Sequence, residues 1–217
     1  MNRFTNQLRI TEIFHSLQGE SVTVGLPTVF VRLTGCPLRC QYCDTAYAFS
    51  GGEMREIEDI LKQIASYNCT HVCVTGGEPL AQPGCISLLT KLCEQGYFVS
   101  IETSGARDIT QIDPRVMIVM DLKTPDSLEA DKNLFSNLEH LKLSDQIKFV
   151  LCSRQDYEWA CSIIKEYSLA SRVQLLFSPS WKQLNPTDLA NWIIEDNLPV
   201  RFQLQLHKIL WNDAPGH

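Results

Sequence analysis

The sequence predicts an α/β fold built on a mainly parallel sheet, because strand-like and helix-like patterns alternate along the chain. The strand-like runs are rich in Val, Ile and Phe and end at turn residues. The helix-like runs repeat apolar residues with the period of one helix face. Such alternation indicates crossover units between parallel strands. In sheets of this kind the chemistry gathers at the carboxyl ends of the strands.

The individual elements follow from these two patterns. The strand-like runs are Leu8–Phe14, Thr28–Leu33, His71–Thr75, Tyr97–Glu102, Val116–Leu122, Ile147–Cys152, Val173–Phe177 and Val200–Leu206. The helical runs are Ile57–Ile64, Ile86–Cys93, Trp159–Ile164 and Leu189–Ile193. Asn185 followed by Pro186 is predicted to begin the last helix, since proline is favoured in a first helical turn. The polar segment Asp126–Ser144 is predicted to be a loop with a short helix.

Length and composition indicate a soluble globular protein, and we predict a single domain over residues 1–217. The net charge of -6 does not favour a nucleic-acid or membrane-surface partner. We find no apolar run long enough to span a membrane. Met1–Ile10 lacks the apolar core of a secretory signal. We therefore predict a cytoplasmic protein with no nucleic-acid or membrane partner.

Cysteine is abundant, with nine residues, and without a secretory signal it indicates metal binding or catalysis rather than disulfides. Three of the thiols, Cys36, Cys40 and Cys43, are spaced four and three residues apart after the second predicted strand. Gly35 and Pro37 allow a tight loop that turns them toward one point. Three thiolates suit an iron–sulfur cluster with one open iron, since structural zinc and ferredoxin clusters take four ligands.

The other cysteines lie mostly in apolar stretches and are predicted to be small buried side chains. They are Cys69, Cys73, Cys85, Cys93, Cys152 and Cys161. A structural zinc site remains an alternative, because Cys69 and Cys73 could complete it in space, with His71 between them.

Two motifs resemble the signature of the radical S-adenosylmethionine superfamily. One is the cysteine spacing, with Tyr42 directly before the last cysteine. The other is the Thr-Gly-Gly-Glu-Pro turn at 75–79, which resembles the turn whose backbone meets the methionine amino group. The resemblance implies a 4Fe-4S cluster on the three clustered cysteines, whose open iron binds S-adenosylmethionine. It also implies an incomplete (β/α) barrel of about six parallel strands, with the site at their carboxyl ends.

Further segments between Leu8 and Lys208 are similar to the 7-carboxy-7-deazaguanine synthase family. They are Ile13–Glu20, Gly25, Pro27, Phe30–Leu33, Gly35, Asp44-Thr45, Ile101–Gly105, Asp121–Pro125, Ser178-Pro179 and Gln205–Lys208. The resemblance implies ring contraction of 6-carboxy-5,6,7,8-tetrahydropterin with loss of ammonia, on the route to queuosine and other 7-deazapurines. It also implies a flavodoxin- or ferredoxin-type reductant and a homodimer.

The implied reaction begins when the reduced cluster cleaves S-adenosylmethionine to methionine and a 5′-deoxyadenosyl radical. That radical abstracts hydrogen from C6 of the pterin, whose ring then contracts. The substrate radical recovers a hydrogen and ammonia leaves. The protein supplies position and exclusion of water. We therefore assign no catalytic acid or base, although Glu20 and Glu102 are candidates for loop structure or proton handling.

The substrate-binding residues implied by the resemblance are Leu17, Gln18, Gly19, Arg32 and Thr75. Glutamine both donates and accepts, which suits a pterin edge, and arginine can bind a carboxylate with two parallel hydrogen bonds. From the residues alone, Arg32 could equally form a surface ion pair.

Thr45 is implied to ligate Mg²⁺, an ion that takes few protein ligands and relies on water and substrate oxygens. The residues alone favour a helix cap at Asp44-Thr45.

The S-adenosylmethionine contacts implied by the resemblance are Tyr42, Gly77, Asp121, Leu122, Lys123, Ser178, Pro179, Ser180 and Trp181. The chain departs from many members here. They have Ser-Pro-Lys at 121–123, where only Lys123 matches, and Gln-Pro at 178–179. Many also end on a substrate-contacting proline where this chain has Asp213. His207, next to Lys208, is interpreted as a polar residue at a strand end whose hydrogen bonds are made within the protein.

Two alternative functions remain open, and they belong to different classes of protein. A small activase that makes a glycyl radical on a protein partner shares the cysteine loop and the short length. It should not need Leu17–Gly19 or Arg32 as a pterin pocket. A zinc- or iron-binding structural or sensor protein would instead have four ligands and no affinity for S-adenosylmethionine.

Overall fold

The computed structural model of the chain describes residues 6–212, 214 and 216. These form a sheet of nine strands with helices packed against it. The strands are β1 (Gln7–Leu17), β2 (Pro27–Leu33), β3 (Glu53–Glu56), β4 (His71–Gly76), β5 (Phe98–Thr103), β6 (Met117–Asp121), β7 (Gln146–Leu151), β8 (Gln174–Pro179) and β9 (Arg201–Phe202). The helices are α1 (Ile57–Ser66), α2 (Gly84–Glu94), α3 (Arg154–Glu166), α4 (Pro186–Glu195) and α5 (Leu206–Trp211).

The sheet has the order β3-β1-β2-β4-β5-β6-β7-β8-β9. From β2 to β9 every neighbouring pair is parallel. At the other edge β1 pairs antiparallel with β2 and β3 pairs antiparallel with β1. The sheet is therefore open rather than a closed barrel, and the predicted α/β fold with an incomplete barrel is confirmed.

Amphipathic helices cover the sheet as their periodicity predicts. In α1 the buried side chains are Ile57, Ile60, Leu61 and Ile64, which lie on one face. The predicted start of α4 is also confirmed, because the side chain of Asn185 accepts a hydrogen bond from the N–H of Thr187. Within the described residues, no helix is long and apolar enough to cross a membrane.

The predicted strand Val200–Leu206 is wrong beyond Phe202, because three tertiary contacts end it early. The Gln203 side chain turns toward Ser21, accepting from its N–H and donating to its carbonyl at 2.7 Å each. The Leu206 N–H then donates to the carbonyl of Gly19 at 3.0 Å, and α5 begins at Leu206. The alternating apolar pattern of this segment is thus overridden by contacts with the loop after β1.

The segment after β6 also differs from its prediction. It contains three short 3-10 helices, Pro125–Ser127, Ala130–Lys132 and Phe135–His140, rather than one. The polar strand β3 was not predicted, since it lies at an edge and takes its strand form from pairing with β1.

Candidate active site

One cavity opens at the carboxyl ends of the parallel strands, where the fold class predicts the chemistry. It gathers residues from the loops after β1, β2, β4, β5, β6 and β8, from β7, and from the C-terminal segment. Of the residues predicted from sequence, those that line it are Leu17, Gln18, Gly19, Arg32, Cys36, Cys40, Tyr42, Cys43, Thr45, Thr75, Gly77, Asp121, Lys123, Ser180 and Trp181.

The cysteine loop turns its three thiols into this cavity, where each is half-buried. The N–H of Cys43 donates to the carbonyl of Cys40 at 3.1 Å, which closes a turn between two of the thiols. Arg39 holds the loop from outside by donating through Nη1 to the carbonyls of Cys36 and Leu38, each at 2.7 Å. Local hydrogen bonds therefore hold the backbone of the loop that carries the three thiols.

The glycine-rich turn after β4 packs directly on the cysteine loop. The N–H of Glu78 donates to the carbonyl of Gly35 at 2.9 Å. A Cβ at Gly77 would lie only 2.7 Å from the Cβ of Cys36, so no larger residue fits without moving the loop. The two motifs recognised in the sequence therefore form one unit of structure.

The carboxylate of Glu78 fastens this turn to the end of β5. It is fully buried and accepts from Thr103 Oγ1 at 2.9 and 3.0 Å, from the N–H and hydroxyl of Ser104, and from the N–H of Leu80 at 2.9 Å. Such a network satisfies a buried carboxylate and makes the turn rigid. Glu78 is therefore a positioning residue for the backbone of Gly77.

Several buried polar atoms without a hydrogen-bond partner belong to residues that are expected to bind S-adenosylmethionine. Buried polar side-chain atoms are normally hydrogen-bonded. Among the described residues, those without a partner include Tyr42 Oη, Asp121 Oδ1, Ser178 Oγ and Trp181 Nε1. All four belong to residues that the sequence associated with this cofactor, and three of them, Tyr42, Asp121 and Trp181, line the cavity. Donors and acceptors left in this state fit a polar ligand that supplies the missing bonds.

The thiols also fit a cluster better than a single ion. Within the described part of the chain, no three His, Cys, Asp or Glu side chains converge as ligands of one metal ion. An iron–sulfur cluster gives each cysteine a separate iron, so its ligands need not converge. Cys73, invoked for the zinc alternative, is buried in the interior. Burial raises the pKa of the Cys40 thiol to about 11, so ligation has to displace its proton.

The predicted substrate residues are held by carboxylates on either side of them. Glu102 accepts from Thr75 Oγ1 at 2.9 Å and from Gln18 Nε2 at 3.4 Å. Glu12 accepts from Arg32 Nε at 2.7 Å and from the hydroxyl of Tyr47 at 2.8 Å.

Charged side chains of both signs lie next to one another in the cavity. Lys148 pairs with Glu20 at 2.6 Å and with Asp121 at 3.7 Å, and Asp121 pairs with Lys123 at 3.0 Å. Burial disfavours the charge on Lys148, but the attraction of the two carboxylates outweighs it and raises the pKa of Lys148. Burial likewise opposes the charge on Glu20, and Lys148 lowers its pKa in spite of it.

Thr45, the predicted Mg²⁺ ligand, also lines the cavity. Thr45 Oγ1 donates to Asp44 Oδ1 at 2.8 Å, and Asp44 pairs with Lys208 at 2.7 Å. Thr45 is the N-cap residue of the 3-10 helix Ala46–Phe49, as the helix-cap interpretation predicts, but its side chain makes no capping hydrogen bond.

Three residues predicted to contact S-adenosylmethionine do not line the cavity. Leu122 is packed in the hydrophobic core, while Ser178 and Pro179 are buried at the end of β8. The position of Asp213 lies outside the described residues.

Sequence reasoning also missed residues that do line the cavity, notably Lys148 and Tyr47, and it underrated His207. His207 packs on Gly19, where an added Cβ would lie 3.1 Å from its Cγ. For Lys148 a signal existed, since a lysine within a continuous apolar strand is rarely buried unless it is paired.

Comparison with known proteins defines the class of this chain. Its sequence matches the Radical SAM superfamily over residues 30–166, more than half of its length. The chain is therefore a radical SAM enzyme, a class that implies a 4Fe-4S cluster and S-adenosylmethionine.

Comparison with individual relatives identifies the family within this superfamily. The 7-carboxy-7-deazaguanine synthase of Chlorobaculum tepidum is 42% identical over 96% of this chain and 97% of the relative. That of Koribacter versatilis is 39% identical over 94% of this chain and 97% of the relative. A crystal structure of QueE from Escherichia coli is 25% identical, with a TM-score of 0.78 over 93% of this chain and 95% of that one. The chain belongs to the 7-carboxy-7-deazaguanine synthase family, which confirms the resemblance seen in its sequence.

Proposed function

We propose that this enzyme contracts the ring of 6-carboxy-5,6,7,8-tetrahydropterin with loss of ammonia, forming 7-carboxy-7-deazaguanine for queuosine and related 7-deazapurines. One observation carries the proposal. The cavity holds the clustered cysteines together with Gln18, Arg32 and Thr75, which have the donors and acceptors of a pterin carboxylate site. The curated relatives match over nearly the full chain.

Cys36, Cys40 and Cys43 would hold the 4Fe-4S cluster. When bound, the reduced cluster and S-adenosylmethionine would supply a 5′-deoxyadenosyl radical for hydrogen abstraction from the pterin. The turn at Gly77 presents its backbone to the methionine moiety. The unpaired atoms of Tyr42, Asp121 and Trp181 complete the contacts to the cofactor.

The substrate-binding residues of the cavity orient the pterin. Arg32 binds the pterin carboxylate, with its guanidinium held at one edge by Glu12. Leu17–Gly19 and Thr75 hold the ring, and Glu102 orients Gln18 and Thr75 toward it. Thr45, hydrogen-bonded to the carboxylate of Asp44, would supply one oxygen ligand to a Mg²⁺ ion. These contacts bring the reacting carbon close to the cofactor and exclude water.

Four broader properties belong to the same proposal. The chain acts as a single domain over 1–217, assembles as a homodimer and works in the cytoplasm. A flavodoxin- or ferredoxin-type protein delivers the electrons. An activase for a glycyl radical is not favoured, because this chain matches 7-carboxy-7-deazaguanine synthases over 97% of their lengths.

An anaerobic product assay tests the function. The cluster is reconstituted and reduced, S-adenosylmethionine, Mg²⁺ and 6-carboxytetrahydropterin are added, and products are followed by mass. We expect 7-carboxy-7-deazaguanine from the wild type and from Cys161→Ala, whose thiol lies on α3 outside the cavity. We expect none from Cys40→Ala. Formation of 5′-deoxyadenosine without ring contraction would overturn the substrate and keep the class.

A further inference from the structure

Lys148 is a buried cation that the proposed reaction does not use. It lies in β7, where all six residues are buried. A lysine in such a strand is rare unless carboxylates accompany it. Its Nζ lies 2.6 Å from Glu20 Oε2 and 3.7 Å from Asp121 Oδ2, and its side chain lines the cavity.

The two carboxylates belong to different halves of the site. Glu20 directly follows the Leu17–Gly19 loop assigned to the pterin, and its N–H donates to Gln18 Oε1 at 3.2 Å. Asp121 ends β6 and lies opposite Lys148 in the register of the sheet. Its Oδ1 is one of the unpaired atoms on the cofactor side. Lys148 is thus a bridge between the two halves.

Each carboxylate has a second partner of its own. Glu20 accepts from Gln205 Nε2 at 2.8 Å, and Asp121 pairs with Lys123 at 3.0 Å. Removal of Lys148 therefore leaves neither carboxylate without a hydrogen bond or counter-charge. What it removes is the connection between them, together with a charge that offsets two neighbouring negative groups in a region of low dielectric.

We propose that Lys148 is a positioning residue that couples the binding of S-adenosylmethionine to the binding of the pterin. This rests on the proposed function and extends it. A ligand contact that fixes Asp121 also fixes Lys148, and through Glu20 and Gln18 it fixes the loop that holds the second ligand. Each ligand then tightens the binding of the other, as linkage requires.

The test measures S-adenosylmethionine affinity on the cluster-reconstituted, unreduced enzyme, with and without saturating 6-carboxytetrahydropterin. Without reductant no turnover disturbs the equilibrium. In the wild type we expect the pterin to lower the dissociation constant of S-adenosylmethionine by about fivefold or more. In Lys148→Met we expect that factor to fall to near one, although each ligand still binds alone.

Lys142→Met is the matched control. Lys142 lies 3.3 Å from the buried Asp145 and outside the cavity, so its loss also removes the cation paired with a buried carboxylate. We expect it to lower the unfolding temperature and keep wild-type coupling. Wild-type coupling in Lys148→Met, or an equal loss of coupling in Lys142→Met, would overturn the proposal and leave Lys148 a purely structural role.

Glu20→Gln tests the same bridge from its other end if Lys148→Met does not fold. This change keeps the shape of the side chain and its bond with Gln205, and we expect coupling to be lost here too. Persistence of coupling in Glu20→Gln would contradict the bridge. If the wild type binds neither ligand, both the proposed function and this inference are wrong. That outcome is distinct from an effect that is confined to the variants.

Discussion

Individual residues of this site are constrained by what lies immediately around them. Gly77 is required by the nearness of the cysteine loop, and Glu78 by the four groups that donate to its carboxylate. Glu20 is charged although buried, because Lys148 lowers its pKa. At this scale the chemistry of the site depends on close packing and on paired charge.

Gly77→Ala is expected to weaken S-adenosylmethionine binding by about tenfold or more, equivalent to roughly 1.4 kcal/mol. The added methyl group would displace Cys36 or the turn itself, since it would lie 2.7 Å from the Cβ of Cys36. Iron content and S-adenosylmethionine affinity of the reconstituted protein measure the effect. Gly96→Ala is the control, because that glycine has positive φ and no atom near its added Cβ. Equal effects in both variants would contradict the explanation.

Replacement of Glu20 is expected to change stability in a pH-dependent way. Glu20→Gln should lower the free energy of unfolding by about 3 kcal/mol at pH 7, since it leaves the buried Lys148 less well paired. The pKa of Glu20 in the folded chain lies below its ordinary value of 4.5, so its contribution is complete above that pH. As pH falls through the folded pKa the contribution is lost, and wild type and variant converge. Denaturant unfolding at several pH values measures the gap, and a gap independent of pH would refute this origin.

At the scale of elements, the loops at one end of the sheet hold each other in place. The segment after β6 docks on the cysteine loop, where Glu129 Oε1 accepts from the N–H of Arg39 at 2.5 Å and the N–H of Gln41 donates to the carbonyl of Ser127 at 3.2 Å. This explains why a polar segment predicted as a loop has ordered 3-10 turns. It thereby binds the backbone of the cysteine loop between Cys36 and Cys43.

Glu129→Ala is expected to speed the loss of the cluster in air severalfold while changing the unfolding temperature little. Without the carboxylate the Arg39 N–H loses its partner, and the loop around Cys36 and Cys40 opens more often. Decay of the visible absorbance of the cluster measures the rate. Asp131→Ala is the control, since Asp131 is exposed on the same segment and pairs with Lys132. A decay rate equal to that of the wild type would show that Glu129 does not protect the cluster.

At the scale of the whole molecule, the site is assembled from both ends of the chain. The loop after β1 contacts α5 through the Gly19 carbonyl, and Lys148 meets Glu20 across 128 residues of sequence. Ligands that bind here therefore stabilise the complete fold rather than one segment, because they bind only when all these parts are in place.

S-adenosylmethionine is accordingly expected to raise the unfolding temperature of the cluster-loaded enzyme. At a concentration about 100 times its dissociation constant it contributes about 2.7 kcal/mol, or about 5 to 10 °C for a chain of this size. Cys40→Ala should show no such rise, because it lacks the open iron that chelates the cofactor, whereas Cys161→Ala should behave as the wild type. Differential scanning calorimetry under anaerobic conditions makes the measurement, and an equal rise in Cys40→Ala would argue against chelation by the cluster.

The sequence by itself determined the features encoded by neighbouring residues. The cysteine spacing, the glycine-rich turn after β4 and the periodicity of β2, β4–β8 and α1–α4 depend on local chemistry, so the order of residues is enough to predict them. The tertiary structure alone decided the early end of β9, the position of His207 and the bridge from Lys148 to Glu20 and Asp121. These depend on the register of the sheet and on contacts between distant loops, which a pattern along the chain does not contain.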